Sequence, residues 1–321
     1  MTQINNSNGI FASGGTDPVK DVLVGAVETG GTKFVCALAT TSGKILKRFS
    51  FPTTQPDIVF AKLNAFFAKA EEEYACPSAI GIASFGPIII NPGSADHGTF
   101  STTPKEGWSG VNILSAFSEF EGPIGLDTDV SGAALGEWKY GAGKGVGTLA
   151  YVTVGTGIGA GVVKDGVPLC GWSHYEMGHI QPPQDRDRDP YEGSCPYHGN
   201  CLEGLASGPA ILDRWGRTLD DLKENGDAVA LIARYLSYLT LTLVLTHMPQ
   251  RIVFGGGVMK TPGLHAALRA ETLKRLAGYV DAPFLKGDLS NYIVAPELGD
   301  NAGIMGAVVL ASRALEQPSS Q

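Results

Sequence analysis

Glu28-Thr29-Gly30-Gly31-Thr32-Lys33 and, much later in the chain, Val154-Gly155-Thr156-Gly157-Ile158-Gly159 are two versions of one device. The first follows the β-rich run Asp21 to Val27 and leads into a second run, Lys33 to Ala39, then a turn at Thr41-Ser42-Gly43-Lys44 and a third run, Ile45 to Phe51. The second repeats the order: Thr148 to Val154, the glycine turn, Ala160 to Val163, a turn at Lys164-Asp165-Gly166, and the short run Val167 to Leu169. Strand, glycine turn and strand recurring in this way predict two related α/β domains facing each other across a cleft. Glycine has no Cβ, so backbone N–H groups in these turns can crowd around phosphate oxygens, and Thr32 and Thr156 add hydroxyl donors at matching corners. A third turn, Gly255-Gly256-Gly257, follows the strand Arg251 to Phe254 and would let backbone pass close to a flat ligand such as adenine. No Gly-Lys-Ser/Thr closes any of the turns and no dinucleotide-binding fingerprint opens the first unit, so neither common nucleotide motif explains them.

Moving outward, Pro56 to Tyr74 has helical spacing, with Phe60, Leu63, Phe66 and Phe67 forming a core face. Two short buried strands, Ala79 to Ser84 and Pro123 to Leu126, run into Phe85-Gly86-Pro87 and Asp127-Thr128-Asp129, and a helix is predicted to start at Ser131 to Gly136. Strand ends are where α/β proteins assemble their sites. The apolar run Leu236 to Met248 is interrupted by Ser, Thr and Tyr and is shorter than a bilayer span, which predicts a buried helix. Residues 1–20 are polar, lack an apolar segment and read as a disordered tail, not a signal peptide.

Glu176-Met177-Gly178-His179 and Cys195-Pro196-Tyr197-His198-Gly199-Asn200-Cys201-Leu202-Glu203 form a second constellation. Two thiols and two imidazoles suit tetrahedral Zn²⁺, and Cys-x2-His-x2-Cys lets one tight loop supply Cys195, His198 and Cys201, with His179 as the fourth ligand. With all four positions taken by protein, the zinc is structural. Glu176 and Glu203 do not fit such a closed shell and read as acceptors for a polar substrate. The alternation Asp185-Arg186-Asp187-Arg188-Asp189 between them reads as a solvated loop.

The chain has 321 residues, 43% hydrophobic and 17% charged, enough for two domains with cores. Its net charge of -8 and lack of a basic patch argue against nucleic acid or an anionic membrane as partner. A small anionic ligand must then be held by backbone N–H groups and metal. Five cysteines, two of them in the metal loop, argue against a disulfide framework and for a reducing, cytoplasmic compartment.

Taken in order from about Val22 to Ala314, these motifs resemble those of the ROK-family sugar kinases, and within them the bacterial zinc-containing fructokinases. To the stretches already quoted the resemblance adds Phe85-Gly86-Pro87-Ile88, Ser101-Thr102-Thr103-Pro104-Lys105 with Trp108, and Gly255-Gly256-Gly257-Val258-Met259. It implies the α/β actin-like ATPase (ribonuclease H-like) fold: an N-terminal domain over 21–127 completed by a helix at 303–316, and a C-terminal domain over 128–302 carrying the zinc loop 179–203. It implies ATP and Mg²⁺, with Gly30, Gly31, Thr32, Lys33, Gly155, Thr156 and Gly157 around the phosphates, Gly255 to Gly257 by the nucleotide and Glu28 holding hydrated Mg²⁺. Asp129 would be the general base for a sugar 6-hydroxyl. Gly86, Pro87, Thr103, Thr128, Glu176, His179 and Glu203 would join Asp129 around the sugar, His179 also binding zinc through its other ring nitrogen. A homodimer is implied as well.

Thr128 and Ser131 stand where ROK glucokinases commonly carry Asn, and the metal loop departs from their Cys-x-Cys-x4-Cys. Loss of those amides points away from glucose and towards fructose, with a broader hexokinase acting on mannose or glucose as the alternative. The sugar-responsive repressors of the family carry a winged-helix segment, whereas a short polar stretch precedes Val22, which disfavours that class.

Overall fold

A computed structural model describes residues 21–103 and 105–316, so the tail expected at 1–20 lies outside the described residues. The first lobe is built on β1 (Leu23–Thr29), β2 (Lys33–Thr40), β3 (Ile45–Pro52), α1 (Pro56–Glu73), β4 (Ile80–Ser84) and β5 (Ile124–Thr128). Its sheet runs β3-β2-β1-β4-β5, with β1 antiparallel to β2 and parallel to β4. α1 opens at Pro56, a first-turn position where a missing N–H costs nothing, and buries Val59, Leu63, Phe66 and Ala70. Its neighbour is an aromatic core in which Phe34, Phe85 and Phe100 surround Trp108.

After α2 (Asp129–Tyr140) the plan repeats in β6 (Thr148–Val154), β7 (Ile158–Lys164), β8 (Val167–Pro168), α3 (Leu202–Ala206), α4 (Gly208–Trp215), α5 (Gly226–His247), β9 (Arg251–Gly255), α6 (Leu264–Leu276) and β10 (Ile293–Val294), before α7 (Ala302–Glu316). The second sheet runs β10-β9-β6-β7-β8, with β6 antiparallel to β7 and parallel to β9. Each glycine turn thus closes the antiparallel hairpin on one side of its lobe's sheet. The duplicated α/β architecture read from the sequence is the one found.

α7 lies on the first sheet, and α2 packs against both α7 and the β6–β7 hairpin. The two helices cross backbone to backbone, because a Cβ on Gly306 would run into the Gly132 carbonyl. α5 spans 22 residues and is long and apolar enough to cross a bilayer, yet Ile232, Leu236, Leu239 and Leu243 are fully buried in the core and it packs on α6. The run at Leu236–Met248 covers only its second half; the first half starts at Asn225, whose side chain accepts from the Asp227 and Ala228 N–H groups.

Some boundaries move. Glu28 and Thr29, predicted in the turn, are the last residues of β1, in register with Val35 and Phe34 on one side and Ala83 and Ser84 on the other. α2 begins at Asp129, two residues earlier than predicted, because the Thr128 hydroxyl accepts from the Ser131 N–H at 3.2 Å and caps it.

Candidate active site

The end of β5 delivers Asp129 to the first turn of α2, so its carboxylate stands at a helix N-terminus, with Oδ1 accepting the Val130 N–H at 2.8 Å. Enclosure in the cleft pushes this carboxyl up to about 7; the Val130 hydrogen bond opposes the shift and the nearby Glu28 charge adds to it. A carboxylate poised there is suited to take a proton near neutral pH. Asp127, two residues before it, is buried, accepts the Thr128 N–H at 2.7 Å and is also raised by burial.

Glu28 reaches the same space from β1. Its Oε2 is buried and has no hydrogen-bond partner, and burial raises its pKa against the pull of Lys33 and Arg48. An orphaned buried carboxylate oxygen within electrostatic reach of a second carboxylate is a costly arrangement that a divalent cation relieves, so this position fits Mg²⁺. Glu28, Lys33, Asp129, Gly255 and Gly256 line one cavity of about 640 Å³ between the lobes.

Gly30, Gly31, Thr32, Gly155, Thr156, Gly157 and Gly257 are not among the residues lining that cavity. Both hairpin turns are tightly tied: Gly30 N–H donates to the Lys33 carbonyl, and Gly155 N–H to that of Gly157, each at 2.9 Å. Around Gly31 and Gly155 nothing lies within 4 Å of where a Cβ would be, so their open side is free for a ligand. Gly157 differs, since a Cβ there would lie 2.7 Å from Glu203 Oε2, which already accepts the Ile158 N–H at 2.9 Å. Gly256 is required by the protein itself: its φ is +93° and a side chain would strike the Val154 backbone.

This openness sets one expectation. If the first glycine turn borders the phosphates of ATP, Gly31→Val should fold and raise the KM for ATP by at least about tenfold while leaving the KM for the sugar near its original value, because its branched Cβ would then crowd only the phosphate side. Equal rises in both constants would show that the lobe had been disturbed instead.

Of the residues expected at the sugar, Gly86 and Pro87 follow β4 and are joined by a cis peptide bond. Thr128, expected at the sugar, is buried and directs its hydroxyl to Ser131, capping α2. Thr103 bonds within its own turn, to Ser109 and Lys105, and Pro104 lies outside the described residues. His174 escaped the sequence reading: its Nε2 lies 2.9 Å from Glu176 Oε1. A histidine two residues before that glutamate was the only available signal.

His179, Cys195, His198 and Cys201 come together, one potential ligand atom from each lying within 4.8 Å of all the others. His179 Nδ1 is 3.4 Å from Cys201 Sγ and 3.8 Å from Cys195 Sγ, and the Cys195 sulfur is 3.7 Å from His198 Nδ1. Paired Cys195 and Gly199 backbone groups close the loop that makes this possible. Two sulfurs and two ring nitrogens at this spacing are a complete tetrahedral donor set and fit zinc. The other nitrogen of His179, Nε2, faces Glu203 Oε1 at 3.9 Å, so one ring joins the cluster to the carboxylate tied to the second glycine turn. The stretch expected as a solvated loop is exposed at Arg186, Asp187 and Arg188, but Asp189 is buried. It pairs with buried Arg214 at 3.2 Å and accepts the Tyr235 hydroxyl, because a carboxylate removed from water needs such partners.

Duplicated lobes closing on a cleft with a carboxylate at a helix start are the architecture of the actin-like sugar-phosphorylating ATPases. A ROK hexokinase from Thermus thermophilus superposes with a TM-score of 0.75 at 28% identity, covering 92% of this chain and 99% of that one. The fructokinase of Zymomonas mobilis is 46% identical over 296 residues, 90% of this chain and 96% of its own. That of Pediococcus pentosaceus is 38% identical over 92% of this chain and 99% of its own. With the family profile matching residues 24–314, the chain belongs to the ROK family.

Proposed function

We propose that this protein is an ATP-dependent fructokinase, moving the γ-phosphoryl group of ATP to the 6-hydroxyl of D-fructose to give fructose 6-phosphate and ADP. The observation that carries the reading is the raised Asp129 carboxyl beside the unpartnered Glu28 oxygen in the interlobe cavity. Strong likeness to chains named fructokinase supports the choice of sugar. Asp129 takes the proton of the 6-hydroxyl, while Gly30, Gly31, Thr32, Lys33 and Gly155, Thr156 and Gly157 border the phosphates, with open space at Gly31 and Gly155, and Gly255 to Gly257 border the adenine. Mg²⁺ beside Glu28 would supply charge neutralisation on those phosphates. Gly86, Pro87, Thr103, Thr128, Glu176, His179 and Glu203 frame the sugar. Zinc on His179, Cys195, His198 and Cys201 is structural, fixing the ring of His179 and the start of α3.

In this reading the lobes are 21–127 with 303–316, and 128–302, a division supported by the packing of α7 on the first sheet. Five free cysteines fit a reducing cytoplasm, and the family resemblance supports a homodimer, which sizing in solution would check.

A coupled assay with fructose, mannose, glucose and N-acetylglucosamine tests the proposal. Fructose should have the highest kcat/KM; a higher value for glucose or mannose would overturn the sugar assignment, and no turnover on any hexose would overturn the kinase. Because Asp129 must be ionised to accept a proton and its carboxyl sits near 7, kcat/KM should fall about tenfold per pH unit below that value. A profile flat to pH 5 would contradict the base.

A further inference from the structure

Between β8 and the single turn at Met177–His179, the loop carries a histidine that neither the metal cluster nor the base requires. The His174 side chain is only 13% exposed and is bonded at both ring nitrogens. Nε2 lies 2.9 Å from Glu176 Oε1, and Nδ1 lies 3.2 Å from Ser173 Oγ. One neutral tautomer satisfies both contacts, with Nε2–H donating to the carboxylate and Nδ1 accepting from the hydroxyl. The same ring reaches the opposite lobe, since a Cβ on Gly86 would sit 3.7 Å from Nε2, and His174 is within electrostatic range of Asp127 and Asp129. Among the described residues only one oxygen of Glu176 is engaged, and more than half of its side chain is open to solvent. The hydrogen bond from His174 is the foremost reason that Glu176 is held below the usual carboxylate range. Glu176 is thus an oriented acceptor with one oxygen to spare.

We infer that His174 is a positioning residue for the acceptor sugar: it locks Glu176 so that Oε2 meets a sugar hydroxyl where the second lobe closes on Gly86. This rests on the reading of the cleft as a hexose site. The two side chains then act as one unit, and a lone glutamate in that loop would sample orientations in which the hydroxyl goes unmet. Loss of a hydrogen bond to a charged group at such a site weakens binding by about 10- to 100-fold.

The test uses the full chain with His174→Ala, His174→Gln, Glu176→Gln and the double variant His174→Ala/Glu176→Gln. His174→Ala should raise the KM for fructose by about 10- to 100-fold, change kcat less, and leave the KM for ATP and the zinc content unaltered. His174→Gln keeps an N–H donor and should recover much of the loss, showing that the alanine effect is not misfolding. The double variant should be no worse than the poorer single one, as for residues sharing one interaction. Multiplying losses, an unchanged fructose KM in His174→Ala, or equal rises in both KM values would overturn the role. Wild-type protein inactive on every hexose would overturn the kinase reading and this role together. An active wild type with an unaffected alanine variant would overturn the role alone.

Discussion

Asp129→Asn should leave the chain folded and fructose bound while turnover falls by about two to four orders of magnitude. The amide nearly matches the carboxylate in shape, and its oxygen can still accept the Val130 N–H that the native Oδ1 takes at 2.8 Å, so the first turn of α2 survives. What disappears is the only group at that position able to carry the proton away from a 6-hydroxyl. Removing a charge close to Glu28 also relieves repulsion within the cavity, so fructose and nucleotide binding should not suffer. Turnover by coupled assay and fructose affinity by calorimetry separate the two effects. Near-normal turnover would remove Asp129 from its role, and lost fructose binding would make it a binding residue rather than a base.

Cys201→Ser should have the second largest effect, and it should fall on the sugar. The wild-type chain should carry about one zinc, since the four donors form one cluster, and the variant should lose it because Cys201 is fully buried and a serine hydroxyl is a poor substitute. Cys201 precedes α3, whose first turn holds Glu203, and Glu203 in turn anchors the Ile158 N–H beside the second glycine turn. Without a metal on the cluster, His179 would lose its fixed ring orientation and Glu203 its rigid support. The fructose KM should rise by about 10- to 100-fold, with the ATP KM rising less, and chelation of the wild type should lower its melting temperature. Mg²⁺ should remain necessary for turnover in either case. A metal-free preparation with full stability and unchanged fructose affinity would contradict a zinc-anchored pocket.

Features encoded over short stretches of chain were legible in the sequence. The two glycine hairpins stand out because strand alternation and glycine punctuation are local signals, and together they give the duplicated α/β plan. The metal cluster is legible because one tight turn brings Cys195, His198 and Cys201 together, leaving only His179 to arrive from elsewhere. Where a side chain finds its partner across the fold, the sequence is silent. Nothing local says that Glu203 will hold the Ile158 N–H, that Asp189 will leave its charged loop for Arg214 and Tyr235, or that His174 will face Gly86. The same holds for the α2–α7 crossing, where Gly132 and Gly306 look like weak helix formers until their backbones are seen in contact. Thr128 holds a role of the same kind: nothing beside it in the chain announces that its hydroxyl caps the helix it precedes.

The central claim is tested most directly by identifying the product. Fructose and ATP incubated with the wild-type protein and Mg²⁺, and followed by phosphorus–proton correlation NMR, should yield one phosphate ester for each ADP, coupled to the protons on carbon 6 of the sugar. ADP without a sugar phosphate, or an ester at carbon 1, would contradict transfer to the 6-hydroxyl in the cleft between the lobes.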